Sequence, residues 1–573
     1  MTDICRAALT TVAAALFAGC AEPAPEAPPV PPADLIIVGK HIVAMDDAFA
    51  GATAVAVRGE QIAAVGAADE LLPLAGPDTR TVELGDQALV PGFIDAHGHV
   101  SFVARLIDFV NLSSPPVGPV MNMDDIVRLL SERITERELP PGEWLFGYGY
   151  DDSLIAENRH PTRDDLDRVS LEHPVALMHV SGHLAAVNSA ALAAVGMDSS
   201  TPDPAGGVIR RRPGTDEPNG VMEETAASAF TLGQFGQVDA ERYEALLRRA
   251  LDYHATFGIT TVQDGGAIPS DIAVMRAAAE RERFPVDVVA FAVVSTLEDG
   301  ATASFSADSA YAGGFRVGGV KFVLDGSPQG RTAWLSEPYT EGPDNAPDDY
   351  VAYPSYDIET YKRQVAGLIG RGVPVLVHAN GDAAIDAMIE GVAGAVDAAA
   401  LPDHRSVIIH AQLTRPDQLP LVKALGIVPS YYAAHPFFWG DWHRRSFGEE
   451  RAAFISPMRA TLEQGIPFTI HNDAPVVPPD MMRLIHIAVN RTTRSGHVLG
   501  ADQRLSASQA LHAVTLGAAY QYFEEDTKGS ITPGKRADLV ILGKNPLTAD
   551  PATLADIPVV ETFARGRSVY RLK

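Results

Sequence analysis

Cysteine is almost absent from this 573-residue chain, with Cys5 and Cys20 the only two. That excludes a disulfide framework and a cysteine-rich metal site, so any ion must be held by His, Asp, Glu or Lys. Basic residues are also scarce. The 45 Lys and Arg stand against 73 Asp and Glu, a formal net charge of −28, which argues against binding nucleic acid through phosphate neutralisation, since that needs a basic stripe. The apolar run at the N-terminus, residues 7–19 (AALTTVAAALFAG), is too short to span a membrane. What is present is an ordinary globular composition, 46% hydrophobic and 21% charged, which rules out general disorder. The length suits three or four domains, or one large barrel with appendages.

Arg6 and the run behind it have the form of a secretory signal. The run ends in Leu16-Phe17-Ala18-Gly19-Cys20, which resembles the lipobox of bacterial lipoproteins, where cleavage precedes the cysteine and its thiol is lipidated. Phe17 stands where Leu is commoner, and Asp3 is unusual in the flank. Residues 21–34 carry six prolines in fourteen and read as an extended tether. The expectation is a signal peptide over 1–19, lipidated Cys20 and a tether to residue 34. That places the protein at the bacterial cell envelope, touching membrane only through its lipid. An uncleaved apolar N-terminus with a chance cysteine stays open.

Short β-rich runs broken by turn residues fill 35–88 and return over 525–573, and the two segments are expected to complete one β-sandwich. Between them the pattern is α/β, buried strand runs alternating with helical ones. Eight strands are predicted, at 87–97, 258–265, 286–294, 317–326, 373–381, 405–412, 426–434 and 466–475. Eight parallel βα units close a TIM barrel, here over 89–524, and the long gap after the first strand makes 101–235 an insertion on its C-terminal loop.

Functional loops of that fold follow the strand ends. His97 and His99 form an H-x-H at the end of the first strand, where period two puts both on one face. Lys321 lies near the end of the fourth strand, His378, His410 and Asp473 at the ends of the fifth, sixth and eighth. Six ligand-capable groups at five strand mouths, each an expensive choice for a buried run, point to a metal site. Arg331 reads either as a grip on an acidic group or as a surface ion pair. His471 shares strand parity with Asp473 and either lines the pocket or sits in the core. His435, His443, Trp439 and Trp442 form a ring-rich loop that could wall the substrate.

Several stretches together resemble the amidohydrolase superfamily, within it the YtcJ-like amidohydrolase 3 group. They are PGFIDAHGHV, WLFGYGYDD (144–152), SGHLAAVNSAAL (181–192), VKFVLDGSPQGRTA (320–333), HANGD (378–382), IIHAQ (408–412), HNDAPVVPP (471–479) and the long run 515–542. The resemblance covers nearly everything after the tether. It implies one or two divalent ions, zinc being best suited, held by His97, His99, His378, His410 and Asp473, with Lys321 carboxylated and bridging. The other reading of Lys321 is a buried amine paired with Asp325 around a single ion. The implied activity is hydrolysis of a non-peptide carbon–nitrogen bond in a small-molecule amide, an N-acyl or N-formyl amine, with Asp473 as general acid and base. His183 matches a position associated with the pocket, as an oxyanion or substrate contact or as a structural residue. His471 and Asn472 depart from the Gly and Ser more usual there. Ring deamination, lactam or ester hydrolysis, and an inactive cell-surface binding protein remain as alternatives, and a homodimer is left open.

Overall fold

A computed structural model describes residues 31–573 apart from 153, 181, 183, 205–206, 231–237, 298–299, 344–345 and 400–402. The signal peptide, Cys20 and most of the tether therefore lie outside the described residues. Strands β1 (Ala33–Val38), β2 (Ala54–Arg58), β3 (Gln61–Gly66) and β4 (Ala75–Glu83) form one sheet in the order β3-β2-β1-β4. β5 (Ala88–Pro91) leaves it, and β6 (Phe93–Ile94) enters a second body. The chain next forms a six-stranded sheet from β7 (Val110–Asn111), β8 (Leu145–Tyr150), β9 (Val175–His179), β10 (Leu184–Val187), β11 (Gly207–Arg211) and β12 (Pro218–Glu224).

Seven strands alternating with helices follow: β13 (Ile259–Ala267), β14 (Asp287–Val293), β15 (Phe315–Val323), β16 (Val375–Ala379), β17 (Val407–His410), β18 (Val428–Tyr432) and β19 (Thr469–His471). With β6 they make one parallel eight-stranded sheet, in sequence order from β6 to β19. The sheet curls until its ends meet. Asp473 N–H donates to His97 C=O at 3.0 Å, and His99 N–H to Ala474 C=O at 2.9 Å. Strand parity explains the layering. Val288 and Ala290 pack outward against helices, while Val289 and Phe291 turn inward onto Ile94, Leu376, Val407 and Val428. Towards the strand C-termini the inward column turns polar: Leu376 is followed by His378, and Val428 by Ser430.

The predicted first strand is corrected. Residues 88–91 pair antiparallel with β20 (Leu539–Leu542), and only β6 joins the parallel sheet. The break falls at Gly92, where a Cβ would meet Thr260 Oγ1 at 2.4 Å, so only glycine lets the chain cross between the two bodies so closely. Both halves are buried, and hydrophobicity alone could not divide them. β21 (Val559–Ala564) and β22 (Arg567–Arg571) complete the sheet β22-β21-β20-β5. Its inner residues Leu539, Ile541 and Phe563 share one core with Leu35, Ile37, Val55 and Val57 of the N-terminal sheet.

An ionic cluster joins this C-terminal segment to the parallel sheet. Asp287, at the start of β14, is 1% exposed and accepts from Lys528 Nζ at 2.8 Å, Arg565 Nη1 at 2.5 Å and Arg536. Burial alone would raise the pKa of its carboxyl, yet the three cations hold it below the usual range.

Candidate metal centre

His97, His99, Lys321, His378, His410 and Asp473 converge at the C-terminal mouth of the parallel sheet. His99 Nε2 lies 3.2 Å, and His97 Nε2 3.6 Å, from Asp473 Oδ1. Lys321 Nζ is 3.1 Å from His97 Nε2. On the far side, His378 Nδ1 faces His410 Nε2 at 3.0 Å. The two groups adjoin, with the His97 and His410 rings 5.6 Å apart between centroids.

The geometry is not the one strand parity suggested. β6 ends at Ile94, so His97 and His99 sit on the loop beyond it, and they meet because Gly265 and Gly266 make room. A Cβ on Gly265 would fall 2.2 Å from His97 Cε1, and one on Gly266 2.7 Å from His99 Nδ1. Asp473 likewise lies past the end of β19. Asp473 at φ +56° and His410 at φ +77° both hold a left-handed backbone, which costs a non-glycine residue on the order of 1–3 kcal/mol where other contacts enforce it.

The partners of His97 identify its tautomer. Gln263 Nε2 donates to Ala96 C=O and to Tyr522 Oη, so its Oε1 accepts from His97 Nδ1–H at 2.6 Å. His97 Nε2 therefore presents a lone pair to Asp473 and Lys321. His378 Nε2 lies 3.1 Å from the Gly326 carbonyl oxygen and 3.0 Å from Asn380 Nδ2, with its Nδ1 turned towards His410. Burial lowers His378 to about 4 and Lys321 to about 7, and holds His97 and His410 well below the usual imidazole range. Neutral imidazoles are the ligating form.

These residues fit a divalent ion. Ligand atoms of His97, His99 and Asp473 lie within 4.8 Å of one another. Two of their separations, 3.2 and 3.6 Å, bracket the roughly 3.4 Å between neighbouring ligands of a tetrahedral ion with bonds of about 2.1 Å. Asp473 Oδ1 is buried and lacks a well-formed hydrogen bond, as expected of an oxygen that serves a cation.

The other predicted residues fare differently. His471 is fully buried within the cluster; its Nε2 is 3.2 Å from His410 Nδ1, its Nδ1 2.8 Å from Ser430 Oγ, and its ring stacks on Tyr432. Lys321 does not pair with Asp325, whose oxygens accept from the backbone N–H groups of Trp334, Asn380 and Gly381. Arg331 is the ion-paired residue of the two readings, its Nη2 lying 2.6 Å from the exposed Glu341 carboxylate, although its own side chain is covered. It is buried, and its three guanidinium nitrogens are spent on Ser446 Oγ, Gly342 C=O and Glu341. Trp442 stacks on Arg331 at 4.3 Å and donates to Gln329 C=O, which ties it to that loop and not to the imidazole cluster. His435 and His443 are buried and hydrogen-bonded to each other at 2.6 Å, so these two rings are packed interior, whereas Trp442 of the same loop is exposed. His183 lies outside the described residues. Gln263 and Asp264 escaped selection, although they carry the signal that marked Lys321, a polar residue closing a buried run.

A parallel eight-stranded sheet with imidazoles, a lysine and a carboxylate at its mouth defines the class of metal-dependent hydrolases. The chain belongs to the Amidohydrolase family, whose pattern it matches over residues 80–570, and is thus a metal-dependent hydrolase of carbon–nitrogen bonds. It is 27% identical over 549 residues to the N-substituted formamide deformylase of Arthrobacter pascens, covering 93% of this chain and 97% of that one. YtcJ of Bacillus subtilis (strain 168) is 27% identical over 506 residues, 86% of this chain and 91% of its own. Among solved structures, an uncharacterized metal-dependent hydrolase from Pyrococcus furiosus superposes with a TM-score of 0.69 at 23% identity, over 90% of this chain and all of that one.

Proposed function

We propose that the chain hydrolyses a linear amide, an N-formyl or N-acyl amine, in a (β/α)8 barrel whose mouth is covered by the sheet β7–β12. His97, His99 and Asp473 would hold one divalent ion of zinc type and His378 and His410 a second, and a carboxylated Lys321 would add two anionic oxygens to the donor set. The observation that carries this reading is the convergence of His97, His99 and Asp473, from the two ends of the sheet, with His378 and His410 from its middle strands, the His97 and His410 rings 5.6 Å apart between centroids and Lys321 Nζ 3.1 Å from His97 Nε2. Carbon dioxide adds to a free amine with loss of a proton, and burial keeps part of Lys321 in that form at neutral pH. When bound, the ion supplies activation of water and polarisation of the attacked carbonyl. Asp473 orients the water, accepts its proton and returns it to the leaving nitrogen. A cavity of about 390 Å³ opens at Ala474, directly after Asp473, lined by Phe102, Leu106, Tyr148, Met178 and Val477. Its apolar wall suits a hydrophobic substituent on the amine.

Chelation is the direct test. The purified chain should hydrolyse N-substituted formamides or N-acyl amines, lose turnover with chelator and regain it with Zn²⁺. A content above one ion per chain that falls when bicarbonate is removed supports the bridging lysine. Activity on lactams, esters or ring amines alone would overturn the substrate class, and chelator-insensitive turnover the metal reading.

His471 supports His410 through its imidazole, with His410 Nδ1–H donating to His471 Nε2. His471→Ala is expected to weaken zinc affinity about 10- to 100-fold, the usual cost of losing a partner behind a metal ligand. Competition with a fluorescent chelator measures this, and unchanged affinity assigns His471 to packing.

A further inference from the structure

We propose a second, separate metal site in the six-stranded sheet, formed by Asp152, His160 and His179 and suited to a zinc-type divalent ion. β8 and β9 are parallel neighbours with Tyr150 opposite His179, so their C-terminal ends deliver His179 and Asp152 side by side. His179 Nε2 lies 3.0 Å from Asp152 Oδ1. His160 returns on the loop after β8, and its Nε2 stands 3.7 Å from Asp152 Oδ2.

The three residues offer ligand atoms that all lie within 4.8 Å of one another. The separations of 3.0 and 3.7 Å bracket the roughly 3.4 Å expected between neighbouring ligands of a tetrahedral ion with bonds of about 2.1 Å. The supporting contacts also fit. Tyr150 Oη lies 3.3 Å from His160 Nδ1, and a hydroxyl accepting there leaves Nε2 to coordinate, the arrangement that commonly orients ligating imidazoles. The returning loop is held by Arg159, which grips Asp165 through both terminal nitrogens at 2.6 and 2.9 Å, while Thr162 N–H donates to the same carboxylate.

Two imidazoles and one carboxylate match the composition of three-ligand zinc sites, with a fourth position for water or an anionic group. The two histidines are mostly buried and Asp152 is one-third exposed, so an ion has a path from solvent. His179 also lines the cavity that opens at Ala474. An ion here would tie Asp152 and His160 to His179 on the cavity wall, apart from the centre that contains Asp473.

The test is metal stoichiometry on the full chain. Chelator-treated protein is dialysed against Zn²⁺ and its content measured by mass spectrometry, for wild type, His160→Gln, His179→Gln and His97→Asn. Each variant of the new site should bind one ion fewer than wild type while keeping the ion that His97→Asn loses. Equal content in wild type and both variants would overturn the proposal. Loss of metal in His97→Asn with none lost in His160→Gln would do the same while leaving the main centre standing; the reverse would remove the main centre and leave this one. Hydrogen–deuterium exchange of the wild-type chain needs no variant. Zn²⁺ should slow exchange over 150–160 and 175–180, and protection confined to the parallel strands would count against the site.

Discussion

Asp473→Asn should lower kcat by about 10³-fold or more, within the range removed with a general acid–base group, while the fold survives. The amide matches the carboxylate in shape, and Asn tolerates the left-handed backbone that this position holds at φ +56°. What it lacks is charge and the capacity to take a proton. Burial alone would raise the pKa of Asp473, but the close approach of His99 and the electrostatic pull of His471 and Lys321 hold the carboxyl below its ordinary value. The native group is therefore ionised and ready to accept. Measuring kcat together with zinc content separates its two roles. A fall in rate with metal retained assigns proton transfer, a fall with metal lost assigns ligation, and full turnover in the purified variant would remove Asp473 from the chemistry.

Asp287→Ala is the second large effect, expected to cost about 3–5 kcal/mol, as when one partner of a buried ion pair is removed. The substitution leaves Lys528, Arg565 and Arg536 facing one another without their shared carboxylate, and the first two are almost wholly buried. The loss should appear as a lower denaturant midpoint and as easier release of the C-terminal segment to protease. Because the carboxyl is held below its ordinary value, its contribution is intact above about pH 4, the unfolded value, and drains away as acid protonates it below that. An unchanged midpoint would mean that the cations find other partners.

Much of this architecture was legible because a strand buried on both faces must be apolar throughout, so VDVVAFAVV and VPVLVHANG announce themselves. The same rule failed at 87–97, where two strands of different sheets are equally buried and only Gly92 divides them. The six cluster residues stood out as polar endings of apolar runs. The substrate-contact readings of Arg331, His435 and His443 misled for a complementary reason. A sequence shows that a side chain can bond or stack, but not whether Ser446, Gly342 and Glu341 already occupy it. Gln263 was readable by the same criterion as Lys321, whereas the space that Gly265 and Gly266 leave at the end of β13 is a property of the folded chain alone.

The pairing of β5 with β20 joins residues more than four hundred positions apart. At synthesis rates of about 5–20 residues per second, Ala88–Pro91 leaves the ribosome some 20 to 90 seconds before its partner exists. For that interval the growing chain carries an apolar strand with an open edge, the kind of surface that seeks any other strand. The last fifty residues are thus the element that ends the chain's exposure to its neighbours, and their arrival closes the molecule to mispairing.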